Sequence, residues 1–233
     1  MNELYRPFRV GVDAVAANPA LAPERLRGVE AGFDWRPAAG LRFGATAFDN
    51  RLAGAIANVT LGRGPGVFPG VGFVAAGGEY RQRRNLDAIT SRGIELDASW
   101  RRGAVELSGG WSYAEAEVRA SGAAAALDGL RPAQTPRHSL SSTLAWTPER
   151  GARASLTARY AGTQAEDDLN RLRLPGALTF DAAASLPISP RLALEARAEN
   201  LTGERVIAAI SADGTRERAT PRTLWLGLRL GLR

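Results

Sequence analysis

Along the last stretch of the chain apolar and polar positions alternate with a period of two. Leu224, Leu226, Leu228, Leu230 and Leu232 fall on one side, and Trp225, Gly227, Arg229 and Gly231 on the other. An extended strand sends successive side chains to opposite faces, so this segment has one leucine face and one small-or-charged face. Its length suits a tilted bilayer-crossing strand, which needs roughly 9–11 residues.

The same alternation predicts eight further strands, near 25–36, 41–59, 81–101, 104–119, 137–147, 152–163, 177–186 and 191–200. In each, one face is apolar. Val29, Phe33, Leu96, Leu107, Leu144, Leu156, Phe180, Leu194 and Leu228 are its markers. The other face carries Glu30, Asp34, Arg42, Glu95, Asp97, Glu106, Arg159, Asp181, Glu195, Arg197, Glu199 and Arg229. Charge on a lipid face is costly, so these twelve are expected to point away from lipid and to pair across strands.

The connections alternate in length. Segments 37–40, 102–103, 148–151 and 187–190 are short; 62–78, 121–136, 164–173 and 201–221 are long. Bacterial membrane barrels have short periplasmic turns, long extracellular loops and aromatic girdles. Trp35, Phe43, Trp100 and Trp146 all lie beside the short connections. A soluble sandwich would explain the alternation but not these two features together. The predicted fold is all-β, an antiparallel up-and-down transmembrane β-barrel, here a partial barrel or arc of about nine strands with two unpaired edges.

Composition narrows the picture. Hydrophobic residues make up 45%, yet no apolar run approaches the roughly 20 residues of a membrane helix. Cysteine is absent, which excludes disulfides and thiolate metal sites. The net charge of +6 comes from arginines scattered singly among acids, with no basic helix or stacking platform, so no nucleic-acid partner is expected. Residues 1–9 have no apolar export core or small-residue cleavage site. An outer-membrane barrel must be exported, so a piece of a longer protein is expected.

Five segments resemble elements of one family. Asn18-Pro19-Ala20-Leu21-Ala22-Pro23-Glu24 is similar to the "NP-x-L-x-PE" element of TonB-dependent outer-membrane receptors. Ser91-Arg92-Gly93-Ile94-Glu95-Leu96 resembles their "RGIELE" strand, and Thr135-Pro136-Arg137-His138 their "P-x-H" strand start. Glu199-Asn200-Leu201-Thr202-Gly203-Glu204-Arg205-Val206 resembles "ENLFD-x-x-Y", and Ala219-Thr220-Pro221-Arg222-Thr223 the "PR-x" element before the last strand. Thr202-Gly203 stands where the family has an aromatic residue, and Leu232-Arg233 where it usually ends on one.

The resemblance implies a receptor for ferric siderophores, cobalamin or similarly bulky nutrients. It implies a location in the cell outer membrane and a plugged barrel of about 22 strands. Residues 1–233 would then be the C-terminal part of that barrel, without the plug domain and without transport activity alone. Its partners would be outer-membrane lipid, the plug, the remaining strands, the ligand and a TonB-type energy-coupling protein bound through the missing N-terminal part. Two alternatives are a small self-contained porin- or adhesin-like barrel and an outer-membrane hydrolase.

Candidate chemistry is sparse, and no catalytic residue, cofactor or metal site is expected. His138-Ser139 could serve a hydrolase only with a base and an orienting group nearby, and a structural role at the strand start is expected. Glu166-Asp167-Asp168 lacks the spacing of a cation loop and reads as a solvated extracellular segment. Gly62-Arg63-Gly64-Pro65-Gly66 lacks the Gly-Lys-Ser/Thr ending of a phosphate loop. Gly122 to Leu127 is a candidate short helix. Ligand contacts are expected from the long loops and the outer lumen, with Tyr80, Arg81, Arg83, Arg84, Gln164, Asn170 and Arg171 as candidates.

Overall fold

The computed structural model describes residues 2–211 and 214–231. Nine strands form its wall: β1 (Arg25–Ala38), β2 (Leu41–Ala53), β3 (Ala88–Arg102), β4 (Val105–Arg119), β5 (His138–Trp146), β6 (Arg153–Ala161), β7 (Ala177–Ser189), β8 (Leu192–Glu199) and β9 (Thr223–Leu230). Each pairs with its sequence neighbour, and the order runs β9 to β1 across the sheet without a crossover. All eight pairings are antiparallel. The sheet is open, with β1 and β9 as its edges. The expected Leu232 of the leucine face lies outside the described residues, as does Arg233.

The register puts the two faces where the alternation requires. Phe33, Ala45, Leu96, Trp111, Leu140, Tyr160 and Leu178 stand opposite one another across seven strands. Leu186, Leu194 and Leu228 continue the apolar face to the far edge. One residue along, the opposite face carries Asp34, Gly44, Asp97, Gly110, Ser141, Arg159 and Thr179. A slip of one residue would exchange these two sets, which is why the pattern fixes the pairing. Most large apolar side chains on the first face are exposed, up to 80% for Leu226. In water that surface would be a liability, whereas in lipid it is solvated.

The apolar band is bounded at both ends. Trp35 and Phe43 lie 6.0 Å apart beside the first short turn. Trp100 pairs with Leu41 and Trp146 with Val105 at the same end. Toward the other end Tyr113 meets His138 at 5.0 Å between ring centroids, and Trp111, opposite Leu96 and deeper in the band, stacks on the same His138 at 5.7 Å. His138 is therefore part of a second girdle, which the sequence reading did not assemble. Beyond it the same face turns polar: Asp49, Arg92 and Glu115 stand in register, and then Arg51, Thr90 and Glu117.

Two glycines are set by close approach. Gly40 turns the β1–β2 hairpin at φ +76°, and a Cβ there would lie 2.3 Å from the Arg101 carbonyl oxygen. A Cβ on Gly93 would lie 2.1 Å from the Tyr113 carbonyl oxygen and 2.7 Å from the Phe48 ring. Phe48 thus covers the bare backbone of the family-like segment 91–96.

The structure corrects the expected limits of two strands. Instead of running 41–59 and 81–101 unbroken, β2 and β3 end at a bend between Gly54-Ala55 and Leu86-Asp87. Gly54 adopts φ +67°, a conformation that glycine reaches without a Cβ clash. Leu86 N–H donates to the Ala55 carbonyl at 2.8 Å, and Gly54 N–H to that of Asp87 at 3.3 Å, so the arms stay joined. Past the bend, strands Ile56–Arg63 and Glu79–Asn85 pair, and Asp13–Ala16 adds in parallel with Phe8–Val10 outside it. The N-terminal segment is thus ordered into a four-stranded loop sheet that the alternation did not foretell.

The long connections are also structured. Hairpins form at Gly66–Phe68 with Gly72–Val74 and at Ile207–Ile210 with Arg216–Arg218. The expected short helix is a 3-10 turn at Gly122–Leu127. The seventh strand extends past 186 to Ser189 because a bulge at Ile188 lets pairing continue through Pro187.

Candidate functional site

Two regions carry polar chemistry: the charged face of the wall and the loops above it. On the charged face Arg42 donates to Asp34 at 2.6 Å and Arg229 to Glu195 at 2.8 Å. Arg159 pairs with Asp181 and Arg101 with Glu106. The register places all twelve expected charges on this face, and four pairs tie neighbouring strands. These side chains are a quarter to two-thirds exposed, so each pair adds at most about 1 kcal/mol. Their consequence is a polar surface that water or a hydrated partner can wet.

The predicted ligand-loop residues fall into two groups. Tyr80, Arg81, Arg83 and Arg84 share the strand Glu79–Asn85. Tyr80 is buried, stacked on Phe68 at 4.7 Å, within a core with Ala14, Ala16 and Val74. Arg81 is held by Glu79 and lies 3.6 Å from Asp13. The Arg83 carbonyl accepts from the Asn18 side chain at 2.8 Å, and Arg84 donates to Gln82 at 3.0 Å. Gln164, Asn170 and Arg171 belong to the loop between β6 and β7, where Arg171 is exposed and Asn170 adopts φ 54°.

Buried charge holds these loops together. Glu79 is almost fully buried, and burial alone would raise its pKa. Hydrogen bonds and charge from Arg81 and Arg63 outweigh that and hold it below the usual carboxylate range. The 166–168 segment is not solvated as expected. Asp168 accepts from Thr60 N–H at 2.8 Å and from its hydroxyl at 3.0 Å. Buried Asp167 accepts from Leu172 N–H at 2.7 Å. Glu166 accepts from the Gln134 side chain at 3.2 Å and from Ile210 N–H at 3.4 Å. Among the described residues no acidic or histidine cluster could hold a metal ion. Asp13, Glu79, Asp168 and Arg131 were missed as organising residues, since contacts such as Thr60 to Asp168 span 108 positions and leave no local signal.

Two cavities open among the loops. One, of about 300 Å³, joins Arg81, Asp168 and Asn58 to an apolar floor that includes Leu86, Val118 and Leu127. The other, of about 390 Å³, is lined by Arg131, Arg137, Arg173, Gln164, Asn170, His138 and Tyr160. The structure therefore brings Gln164 and Asn170 together in one cavity and places Arg81 in the other. Arg131 N–H donates to the Asn170 side-chain oxygen at 3.1 Å, and the Asn170 amide donates back to the Arg131 carbonyl at 2.8 Å.

Comparison with known proteins bears directly on this architecture. The chain matches the family model for the TonB-dependent receptor-like β-barrel over residues 1–201. No curated protein sequence gave a match. Among solved structures, the ferric yersiniabactin uptake receptor FyuA from Yersinia pestis superposes with a TM-score of 0.68 at 17% identity, covering 89% of this chain and 30% of that one. The copper transporter OprC gives 0.68 at 16% identity, covering 92% of this chain and 32% of OprC. A mutant of the ferric enterobactin receptor PfeA from Pseudomonas aeruginosa gives 0.64 at 20% identity, covering 94% and 32%. At these identities the likeness is one of fold. The chain spans about a third of the length of these proteins. A family model covering most of the chain, and a nine-stranded antiparallel wall with matching solved barrels, establish that this chain belongs to the TonB-dependent receptor β-barrel family.

Proposed function

We propose that residues 1–233 form the C-terminal part of the wall of an outer-membrane receptor for ferric siderophores or similarly bulky nutrients. The observation that carries this reading is the open sheet. Its edges, β1 and β9, stand at opposite ends of the strand order. In hydrocarbon, unpaired backbone N–H and C=O groups cost several kcal/mol each, so spanning sheets close. Barrels that enclose a plugged lumen for such cargo have about 22 strands, and nine strands are an arc of that wall. The remaining strands and a plug would supply closure. Energy would reach the receptor through a TonB-type protein contacting the plug side. The polar face would line the lumen, and the loops carrying Arg81, Gln164 and Asn170 would meet the ligand. Several structural neighbours are named as siderophore receptors and one as a copper transporter, so the cargo class rests on the majority of them. A self-contained small barrel would need β1 to pair with β9, and an enzyme would need a nucleophile and base brought together.

The test is complementation in a strain lacking its siderophore receptor. Residues 1–233 with an added export signal are expected to restore no energy-dependent growth on the ferric siderophore. Supplying the plug and the other strands is expected to restore it. Growth supported by residues 1–233 alone would overturn the proposal.

A further inference from the structure

We propose that the short-turn rim of this wall is a docking surface for anionic phospholipid headgroups of the inner, periplasmic leaflet, formed by Arg36, Arg102, Arg150, Arg153 and Arg191. The surface rests on the membrane placement proposed above, and it lies at the end of the strands away from the ligand loops.

Its position follows from the connections. The wall strands turn back at 39–40, 103–104, 147–152 and 190–191. Connections this short cannot carry a side chain far beyond the membrane interface. Trp35, Trp100 and Trp146 mark that interface, where hydrocarbon gives way to headgroups. Arg36 follows Trp35 directly. Arg102 lies two residues beyond Trp100 on the same apolar face, opposite Val105. Arg150 stands in the turn after Trp146, and Arg153 opens β6 opposite Ser185. Arg191 precedes β8, its carbonyl accepting from Gly231 N–H at 2.9 Å. These side chains therefore reach the headgroup layer on the side where bacterial barrels have their periplasmic turns.

Its chemistry is an uncompensated row of one sign. All of these arginines are exposed, and among the described residues none of their guanidinium groups has an ion pair or hydrogen bond. Asp34, Glu106 and Glu195 near these turns are already bound by Arg42, Arg101 and Arg229, which leaves Glu149 alone among the described acids there. The opposite end is built otherwise: Arg92 pairs with Glu115 and Arg119 with Glu117, so cations there have carboxylates beside them. Successive hairpins of the rim stand two strand spacings apart, about 10 Å. That is about one Debye length at 0.1 M salt, so the charges act on one another. A bare row of this kind opposes itself. A phosphodiester supplies the missing charge, and its free oxygens match the guanidinium fork. A zwitterionic headgroup brings its own ammonium and compensates the row less. Turns too short to leave the interface favour a lipid over a polymer of the periplasm.

The test uses the complete polypeptide that carries these residues, with every tryptophan except Trp35, Trp100 and Trp146 replaced by Phe, so that fluorescence reports from the short-turn girdle. It is inserted into phosphatidylcholine vesicles that contain either brominated phosphatidylglycerol or brominated phosphatidylcholine, and quenching measures which lipid the girdle holds. At least a threefold preference for phosphatidylglycerol is expected at about 0.1 M salt, falling close to parity at about 1 M, where the screening length shrinks to about 3 Å. Arg36→Gln, Arg102→Gln, Arg150→Gln, Arg153→Gln and Arg191→Gln together are expected to bring the preference to parity, while Arg27→Gln with Arg51→Gln, at the loop end, retains it. Arg102→Gln with Arg150→Gln is the second variant should the first fail to fold, with at least a halving of the preference expected. Equal quenching by the two lipids, a preference surviving in the rim variants or at high salt, or its loss in the loop-end variant would each overturn the proposal. Abolition of the preference by millimolar soluble peptidoglycan fragments would assign the rim to a periplasmic polymer and overturn it as well. Insertion is scored separately by heat-dependent mobility on gels. A chain that inserts without preference refutes this surface alone, and one that does not insert refutes the membrane placement with it.

Discussion

Replacing Leu96 by arginine tests the membrane register at its centre. Leu96 stands midway between Trp100, at the short-turn girdle, and Arg92, at the charged rim of the same face. The strand from Trp100 to Arg92 is about 27 Å long at about 3.4 Å per residue. Tilted by about 40°, it rises about 21 Å, close to the roughly 25 Å apolar band of outer-membrane barrels. Leu96 therefore lies near the midplane, where arginine costs about 2–4 kcal/mol. That is about a 30- to 700-fold shift in the folding equilibrium. Ile94, two residues nearer the rim, should cost less, about 1–2 kcal/mol on the same depth scale. Glu95 points the other way and pairs with Ser112 and Thr46, so Glu95→Arg should cost under about 1 kcal/mol. The assay is urea-dependent folding of the complete polypeptide into lipid vesicles, read by Trp fluorescence and by heat-dependent mobility on gels. Equal costs at 95 and 96, or a larger cost at 94 than at 96, would refute the assignment of faces and of depth.

Four further outcomes follow from particular contacts. Gly93→Val should destabilise the β3–β4 hairpin by about 1–3 kcal/mol, because the Tyr113 carbonyl at 2.1 Å cannot yield without moving the strand; an unchanged urea midpoint would contradict this. Asp168→Ala should leave the wall intact but speed hydrogen exchange at the Thr60 amide at least tenfold, and unchanged exchange would show that the 2.8 Å bond does not pin the loop. Glu79 has a depressed pKa in the folded loops, so its contribution is complete above its ordinary value of 4.5 and is lost as pH falls through the lower folded value. Protease cleavage within 56–85 should rise on acidification in the wild type and be already raised, with a flatter pH profile, in Glu79→Gln. A double-mutant cycle on Arg159 and Asp181 should give a coupling below about 1 kcal/mol, since Arg159 is half exposed; a value above 2 would place the pair in a much drier environment than the wall provides.

The wall was legible because one periodic signal fixes it. Leu224 to Leu230 alternate so regularly that a single register satisfies both lipid and water, and β4, β5 and β6 follow the same rule. Errors came where that signal fades. Past Asp49 the apolar face takes on Asp49 and Arg51, because it has left the hydrocarbon, and alternation then no longer marks where a strand stops. Gly54 could be read as a tolerated strand glycine; only its pairing opposite Asp87 makes it a bend. The segments Phe8–Val10 and Asp13–Ala16 are too short to show a period, and their place is set by Glu79, whose N–H donates to Asp13 at 2.9 Å from 66 positions away.

The same contrast separates the two candidate surfaces. On the polar face, a charge needs only the correct parity to point away from lipid, so all twelve positions could be read from the sequence. In the loops, parity says nothing about partners. Tyr80 was expected among the ligand contacts of the loops and outer lumen, yet its ring fills a small core against Phe68. Arg131 looked like one more scattered arginine, yet Asn170, 39 positions on, fixes its backbone on both sides and leaves a guanidinium nitrogen buried without an acceptor. Sequence periodicity reports what a residue's solvent is, lipid or water. Which groups converge on a site depends on where folded loops cross, and that is encoded in single long-range hydrogen bonds between residues that are individually unremarkable. The loops, where members of one barrel family must differ to take different cargo, are therefore the part of this chain that had to be seen in three dimensions.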